Sequence, residues 1–281
     1  MKKIRSFLPA LLFLMCQTAG VAQAAVKMVP HRALYDIVLD KVKSGSSVQD
    51  VSGSMFYDLV DTCDGFAVQQ QLKLVFTFPE GEGSTVTSSV VTWEARDGSS
   101  FRFNVKRETD GRQDMVYKGV VMPLAQGAQE RVVRYSVPFD REDGKIGKDD
   151  LFPTAHAILL LEKALAGEKM FSRRVFDGSD EQAGADISAF IGKRADKMTA
   201  PEIAKVTKTA ADRALLNEPA WSVRLAFYKP QTQTGEPDYE TDLVLLQNGI
   251  TRSMRIDYGE FSIKSSLVLL EAGERLSCDD L

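Results

Sequence analysis

An alternation of apolar and polar side chains with a period of two runs through most of this sequence. Apolar residues occupy every second position from Tyr35 to Leu39, from Leu72 to Phe78 and from Trp221 to Phe227. A period of two places successive side chains on opposite faces of a β-strand, so each stretch predicts a strand with one buried face. Turn signals such as Asp97-Gly98 and Asp110-Gly111 separate the stretches. The pattern predicts about fourteen strands.

Short strands at this spacing are typical of an antiparallel sheet or barrel, and not of alternating strands and helices. The strongest hairpin signal is Asn248-Gly249, between the stretches 239–246 and 250–258. No linker rich in Pro, Ser or Gly divides the strands. We therefore predict an all-β protein with minor α content, folded as a single domain over residues 25–281.

One stretch in the middle of the chain breaks the alternation and predicts a helix over residues 151–166. Pro153 suits a first-turn position, and Gly167 is a natural end for a helix. The acidic pair Asp149-Asp150 would place negative charge near the N-terminus of this helix. Because Leu159-Leu160-Leu161 makes the helix apolar on nearly all sides, we expect it to be enclosed by the strands.

Residues 197–218 differ from the strands around them. Thr199 and Glu202 form a capping-box pair around Pro201, and apolar residues follow at helical spacing. The pattern predicts one short, mostly exposed helix. A mobile loop is the alternative.

The N-terminus has the features of a cleavable secretory signal. A basic start, Met1 to Arg5, precedes an apolar run over 7–15, and Ala22-Gln23-Ala24 offers small residues to a signal peptidase. We predict removal of residues 1–24 by cleavage after Ala24, and export to the periplasm. The apolar run is shorter than the roughly 20 residues of a membrane span, so no stable membrane insertion is expected after cleavage.

Cys16 raises the alternative of a lipoprotein, since lipidation requires a cysteine behind a short apolar segment. Met15 stands where such a signal prefers a small residue. The sequence therefore favours the cleaved form without a lipid anchor.

The mature chain is acidic. Cleavage removes three of the 35 basic residues and none of the 39 acidic ones, which leaves 32 against 39 and a net charge of −7. Nucleic-acid binding requires a basic face that releases counterions, and anionic lipid attracts the same kind of face. The charge therefore argues against nucleic acid as a partner and against electrostatic docking on an anionic lipid surface.

Cys63 and Cys278 are the two cysteines that remain after signal removal. In an oxidising compartment a lone pair of cysteines most simply forms a disulfide, which here would close a loop of 215 residues. The chain-entropy estimate for so long a loop is roughly 5 kcal/mol. Neither cysteine belongs to a Cys-x-x-Cys motif, which favours a structural bond over a redox-active one.

Histidine is scarce, with two residues, His31 and His156, in the whole chain. A zinc site with several imidazole ligands is therefore excluded, and we expect neither a metal nor a cofactor. His156 lies on the predicted helix, where it could act as the base of a hydrolase beside a serine or threonine from elsewhere. We favour the alternative, a buried structural histidine.

The other polar clusters carry no recognisable reaction motif. Gly144 to Lys148 is rich in glycine and lysine but lacks the spacing of a phosphate-binding loop, and we interpret it as a charged turn. The acidic pairs, such as Asp61/Asp64 and Asp279-Asp280, lack the alternating pattern of a calcium loop and are interpreted as solvated turns. We expect no enzymatic activity.

Six features occur in a characteristic order along the mature chain. They are Val29-Pro30-His31-Arg32-Ala33-Leu34-Tyr35, Gly53-Ser54-Met55, Thr62-Cys63-Asp64-Gly65, Trp93, Leu151-Phe152-Pro153-Thr154-Ala155-His156 and Cys278. As a set they resemble the EipB family of periplasmic cell-envelope integrity proteins, long catalogued as a domain of unknown function. The segment 197–218 matches nothing recognisable in the family pattern.

The resemblance implies a β-spiral, which is a broken and curling barrel, with the helix near 151–166 at its centre. It also implies a disulfide between Cys63 and Cys278 and no established enzymatic activity. The implied role is maintenance of the envelope against stress, with a periplasmic tetratricopeptide-repeat protein as proposed partner. Phe152, His156 and Leu159, all on the predicted helix, are the candidate interior or ligand-lining residues.

Three functional hypotheses follow. The leading one is a non-enzymatic periplasmic protein that supports envelope integrity through protein–protein interaction. The alternative is a periplasmic carrier of lipid or lipoprotein, since a curled sheet can hold an acyl chain if its concave face is apolar and partly empty. The apolar helix argues against a carrier because it could fill that space. A hydrolase that uses His156 is the third hypothesis.

Overall fold

The computed structural model describes residues 26–81, 83–179, 184–229, 235–274 and Cys278. Its fourteen strands form one sheet, which confirms the prediction from the alternation. The strands are β1 His31–Val42, β2 Asp50–Asp61, β3 Gly65–Thr77, β4 Gly83–Ala95, β5 Phe101–Thr109, β6 Arg112–Val121, β7 Glu130–Val137, β8 Gly144–Gly147, β9 Met170–Val175, β10 Ala185–Arg194, β11 Ala220–Tyr228, β12 Tyr239–Leu246, β13 Thr251–Asp257 and β14 Phe261–Ala272. The predicted signal sequence, its cleavage site and Cys16 lie outside the described residues.

The strand order places the first and last strands side by side at the centre of the sheet. β1 pairs with β14, and from this pair the sheet extends strand by strand to β8 on one side and to β9 on the other. Neighbouring strands are antiparallel throughout, as in β1–β14 and β10–β9. Strands β8 and β9 form the two edges of the sheet and are consecutive in the chain. The segment between them therefore connects the two edges, and the sheet curls around it.

That segment is the helix α1, Pro153–Leu165. Leu160, Leu161 and Ala164 are buried in one apolar cluster with residues from β2, β3, β10, β11 and β12. The helix ends just before Gly167, which has a φ of +78°, a left-handed conformation that glycine adopts without steric cost. The predicted helix, its end and its enclosed position are confirmed.

The segment 197–218 forms two helices, α2 Ala200–Val206 and α3 Ala210–Leu215. The prediction of a single helix was wrong, and so was the alternative of a mobile loop. Between the helices Thr207 is extended, with φ −134° and ψ 150°, and it forms a parallel bridge to Leu270 of β14. A second capping box, Thr209 with Asp212, then starts α3.

The predicted capping box of α2 is confirmed, because the Glu202 carboxylate accepts the backbone N–H of Thr199 at 2.7 Å. Both helices are attached to the sheet by buried apolar side chains. Ile203 and Leu216 lie in one cluster with Leu270. The segment is therefore an integral cover of the shell and not an appended loop.

The interpretation of Gly144 to Lys148 as a charged turn was wrong. Residues Gly144–Gly147 form the edge strand β8, which pairs with β7. Ile146 is buried with 2 % exposure and joins the aromatic cluster around Phe101. The buried Ile146 and the pairing with β7 together hold this four-residue strand at the edge of the sheet.

The two ends of the shell differ. At the end where β1 begins and β14 finishes, which we call the closed end, α3 is held to the sheet by Asp212, whose carboxylate accepts the backbone N–H of Ala272 at 2.9 Å. At the opposite end, where β1 finishes and β14 begins, turns connect the strands, and no helix of the described residues covers them. We call this the open end.

Candidate functional site

The N-terminus of α1 is capped by a carboxylate from a distant strand. Glu94 near the end of β4 accepts the backbone N–H of Thr154 at 2.8 Å and that of Ala155 at 2.7 Å. These N–H groups belong to the first turn, where a helix has no internal acceptors for them. Negative charge at this position also interacts favourably with the positive end of the helix dipole. Glu94 therefore joins the sheet wall to the enclosed helix.

The acidic pair Asp149-Asp150, expected to place negative charge near this terminus, lies just before the helix and outside its first turn, which contains no acidic residue. Asp150 accepts the backbone N–H of Gly147 at 2.7 Å and so closes the turn after β8. The hydrogen bonds to the helix N–H groups come from Glu94.

Burial controls the ionisation of Glu94. The side chain is 3 % exposed, and loss of water raises its pKa to about 7, although the hydrogen bonds from Thr154 and Ala155 oppose that shift. The cap is thus a carboxyl group that can change its protonation near neutral pH inside the wall of the shell.

Contacts of Arg131 and Phe152 hold the segment that precedes α1 in place. The Arg131 guanidinium donates to the carbonyl of Gly98 at 2.9 Å and also to the carbonyl of Asp150. It lies 4.7 Å from the centre of the Phe152 ring. Phe152 itself stacks on Phe101 with ring centres 4.7 Å apart. These contacts describe a packed support for the helix.

His156 is enclosed and has no partner at one ring nitrogen. It is 6 % exposed, its ring lies 5.5 Å from that of Phe171, and its Nε2 has no hydrogen-bond partner among the described residues. Burial lowers the pKa of His156 to about 4, so the ring is neutral at physiological pH. A catalytic base needs a nucleophile within hydrogen-bond reach, and the structure places none at this atom.

The three helix residues singled out from the sequence differ in their surroundings. Phe152 and His156 are buried, whereas Leu159 is partly exposed. Phe152 precedes the first residue of α1 as its N-cap, and His156 and Leu159 lie on the helix. Among the described residues no group of His, Cys, Asp and Glu side chains could hold a metal ion.

The two cysteines form a disulfide at the closed end. Cys63 lies in the turn between β2 and β3, and its Cα atom is 5.6 Å from that of Cys278. Arg96 holds this turn, since its Nε donates to the Cys63 carbonyl at 2.9 Å and its guanidinium also contacts Asp61. The Trp93 indole donates to the Thr62 hydroxyl at 3.1 Å. The bond ties the C-terminal segment to an early turn that the neighbouring strand stabilises.

The interior of the shell is filled unevenly. Around α1 buried side chains such as Leu59, Trp221 and Leu245 form the core, and the partly buried Leu225 and Leu243 pack against them. Toward the open end, inward-facing apolar side chains stay partly exposed; they are Met55, Leu72, Met254 and Ile256. The helix therefore packs in the closed half of the shell, and the apolar lining of the open half keeps partial exposure.

A row of aromatic rings lines the open end. Successive ring centres are 4.3 to 6.5 Å apart along Phe227, Tyr239, Tyr258, Phe261, Phe76 and Phe78. The rings come from β3 and from the strands β11 to β14, which are brought together by the central β1–β14 pairing. Aromatic rings at such spacing form a continuous apolar rim.

Glu94 and the aromatic rim were missed from the sequence. Glu94 follows Val90 and Thr92 in the inward-facing phase of β4, and an acidic residue in the buried phase of a strand is the signal that could have revealed it. The rim has no local signal, because its rings come from separate hairpins.

A curled, incompletely closed sheet that holds an apolar helix and is tied by one long-range disulfide defines a β-barrel-like shell protein. None of the helices in the described part of the chain is long and apolar enough to cross a membrane. The chain belongs to the EipB-like family, whose model matches residues 22–274, and this confirms the family resemblance.

A named relative and a solved structure illustrate the similarity to known proteins. The "Cell envelope integrity protein EipB" of Brucella abortus (strain 2308) is 30% identical over 266 residues, which cover 93% of this chain and 91% of that protein. A crystal structure of a beta-barrel-like protein of domain of unknown function DUF1849 from Brucella abortus superposes with a TM-score of 0.77. It is 29% identical and covers 89% of this chain and 100% of its own. The spiral fold implied by the resemblance is therefore confirmed.

Proposed function

We propose that this protein acts in the periplasm to maintain the integrity of the cell envelope, without catalysis and through binding to a partner protein. The observation that carries the proposal is the similarity, over nearly the whole chain, to a protein named for envelope integrity. Among the described residues, the shell holds a helix whose first turn is capped by Glu94. His156 Nε2 has no hydrogen-bond partner there. A periplasmic tetratricopeptide-repeat protein, implied by the family resemblance, is the first partner to test.

Complementation tests the role and the compartment together. Cells that lack the protein should become sensitive to detergent and to chelation of divalent cations, and the full chain should restore resistance. A matched chain without residues 1–24 should stay in the cytoplasm and should not restore it. Restoration by the cytoplasmic form would contradict a periplasmic role.

A substitution at His156 tests the absence of catalysis. His156→Phe keeps a ring of similar size beside Phe171, so we expect normal folding and full complementation. Loss of envelope resistance at unchanged protein level and melting temperature would contradict a non-enzymatic role. Wild-type protein expressed at the same level is the control.

A lipid or lipoprotein carrier is the second candidate, and the partly exposed interior of the open half favours it. Leu72 and Met254 present partly exposed apolar surface toward the open end from separate strands. Helix α1 packs against the inward-facing side chains of the closed half. An acyl chain entering past the aromatic rim would meet an apolar lining.

Filling the space tests the carrier. Met254 faces inward, whereas the adjacent Ser253 lies in the outward-facing phase of β13. We expect a fluorescent fatty acid to bind the wild type and the control Ser253→Trp but to bind Met254→Trp more weakly. Organic extraction and mass spectrometry of the purified protein provide a second readout. Absence of both extracted lipid and fatty-acid uptake would remove the carrier hypothesis.

A further inference from the structure

Strand β9 leaves one of its edges open. Within the described part of the chain, strand β10 is its one partner strand along Met170–Val175, and on the other side it has a single bridge, from Val175 to Leu151. The N–H of Ile191 next to this ladder donates to the carbonyl of Lys169 at 2.7 Å, so odd-numbered residues direct their backbone groups toward β10. Even-numbered residues consequently direct theirs to the outer edge.

The connector to α1 occupies one end of that edge. The N–H of Leu151 donates to the carbonyl of Arg174 at 2.9 Å, and the N–H of Phe176 donates to the carbonyl of Leu151 at 2.9 Å. Both contacts involve even-numbered residues of the β9 segment. This agrees with the β9–β10 hydrogen bonds, from which even-numbered residues direct their backbone groups to the outer edge. Beyond Leu151 the edge-directed groups of Met170 and Ser172 have no paired strand among the described residues. The Ser172 carbonyl accepts a hydrogen bond from the Arg173 guanidinium at 2.9 Å, which leaves the Ser172 N–H directed to the edge.

The surface beside this edge is apolar and exposed. Met170 is 64% exposed and Phe190 is 43% exposed, and the two residues lie directly opposite each other in the β9–β10 ladder. Soluble proteins usually protect an open edge by shortness, charge, proline or a covering segment. The other edge strand, β8, has four residues, whereas β9 combines a longer edge with a neighbouring apolar pair.

The charge at the edge is positive. Arg174 pairs with Asp186 at 2.7 Å and Lys163 pairs with Glu168 at 2.9 Å, so these acids are already neutralised. Lys169 and Arg173 are exposed, and neither forms an ion pair within the described residues. An occupant with acidic side chains would complement them.

We propose that the free edge of β9 is a docking site for an extended acidic segment of a partner protein, which adds a strand to the sheet beyond Leu151. Backbone hydrogen bonds to Met170 and to the N–H of Ser172 would hold this strand, and an apolar side chain would rest on Met170 and Phe190. A second copy of this chain fits less well, because antiparallel pairing of two β9 edges brings their unpaired Lys169 and Arg173 cations together. The proposal rests on the protein-binding function proposed above.

A synthetic peptide tests the site directly. The probe is a fluorescein-labelled hexapeptide of alternating Glu and Val, measured by fluorescence anisotropy with the mature chain. Two control peptides differ by one property each: alternating Lys and Val reverses the charge, and N-methylation of alternate amides removes the backbone donors. We expect binding of the first peptide and about tenfold weaker binding of each control, the order of effect of one lost hydrogen bond or ion pair.

Ser172→Pro provides the matched variant in the protein. Proline removes the edge-directed N–H of residue 172 and leaves the ladder to β10 intact, since that N–H is not part of it. Ser172→Ala is the control, because it removes the contact between the Ser172 and Ser188 hydroxyls, 2.9 Å apart, and retains the N–H. We expect about tenfold weaker peptide binding for Ser172→Pro and no change for Ser172→Ala.

The outcomes separate the docking site from the envelope role. Equal binding of all three peptides, no binding of any, or unchanged binding by Ser172→Pro would overturn the docking site. A concentration-dependent dimer in analytical ultracentrifugation that Ser172→Pro abolishes would assign the edge to self-association instead. If Ser172→Pro loses peptide binding but restores envelope resistance in cells, the site stands and its place in the envelope function is refuted.

Discussion

The buried carboxyl group of Glu94 leads to a specific pH dependence of stability. Its pKa is about 7 in the folded protein against an ordinary value of 4.5, so the folded state retains the proton between these two values and the unfolded state releases it. An acid with a raised pKa in the folded state contributes most stability below the lower value and loses it as the pH rises to the higher one. This difference corresponds to roughly 3 kcal/mol.

The perturbation is Glu94→Gln. Glutamine does not titrate, so the free energy of unfolding of the wild type minus that of the variant should fall by roughly 3 kcal/mol from pH 4.5 to pH 8. Burial lowers the pKa of His31 and of His156, and stability from these groups is lost as the pH falls. Both proteins contain the two histidines, so their opposite slope cancels in the difference.

A second, pH-independent effect comes from the geometry. The two oxygens of Glu94 each accept one helix N–H, from Thr154 and from Ala155. Glutamine supplies one oxygen and turns an amide NH₂ toward the other donor, which leaves a buried donor unsatisfied at a cost of about 1–3 kcal/mol. Glu94→Ala leaves both donors without an acceptor and should cost more.

The assay is urea unfolding followed by tryptophan fluorescence at several pH values between 5 and 8. The control is Glu108→Gln on the neighbouring strand β5, where the side chain is exposed and the substitution should change little at any pH. A difference between wild type and Glu94→Gln that does not depend on pH would refute the argument, because it would show that folding does not raise the pKa of this group.

Three further predictions concern packing and covalent structure. Cys63→Ser should lower the free energy of unfolding by roughly 2–5 kcal/mol because the bond closes a loop of 215 residues; urea unfolding without reductant measures it, and an unchanged midpoint would contradict it. Phe152→Ala should cost about 3–5 kcal/mol at a site with 1 % exposure, whereas Phe139→Ala, at a site with 96% exposure, should change the melting temperature little; similar losses would contradict the packing described. Gly249→Ala should lower the free energy of unfolding by more than about 1 kcal/mol, because the residue has a φ of +88° and an added Cβ would lie 2.4 Å from Met28. Calorimetry at matched protein concentration measures the effect, and an unchanged stability would contradict the prediction.

Local sequence patterns predicted the elements of the fold well. Alternation over five to eight residues depends on the two faces of one strand, so it indicated the strands without knowledge of their neighbours. The same is true of α1, which Pro153 and Gly167 delimit. The division of 197–218 into two helices also has a local signal, which is the second capping pair, Thr209 and Asp212. The prediction of a single helix rested on the first capping pair.

Contacts between distant residues could not be predicted in this way. Glu94 caps a helix that begins about sixty residues later in the chain, and its role exists because the curled sheet passes around that helix. The aromatic rim depends likewise on β1 pairing with β14, which brings β3 close to the strands from β11 onward. Neither the Glu94 cap nor the β1–β14 pairing changes the apolar–polar alternation within any single strand.

The sequence by itself determined that the chain forms many antiparallel strands around one apolar helix and that Cys63 and Cys278 are far apart in the chain. Periodicity, turn residues and residue counts are local or compositional properties, and they suffice for these conclusions. The tertiary structure alone decided the order of the strands, the burial of Glu94 at the helix terminus, the partial exposure of the inward-facing side chains in the open half and the free edge of β9. Each of these depends on how far the sheet curls before its edges meet, and that is a property of all fourteen strands together.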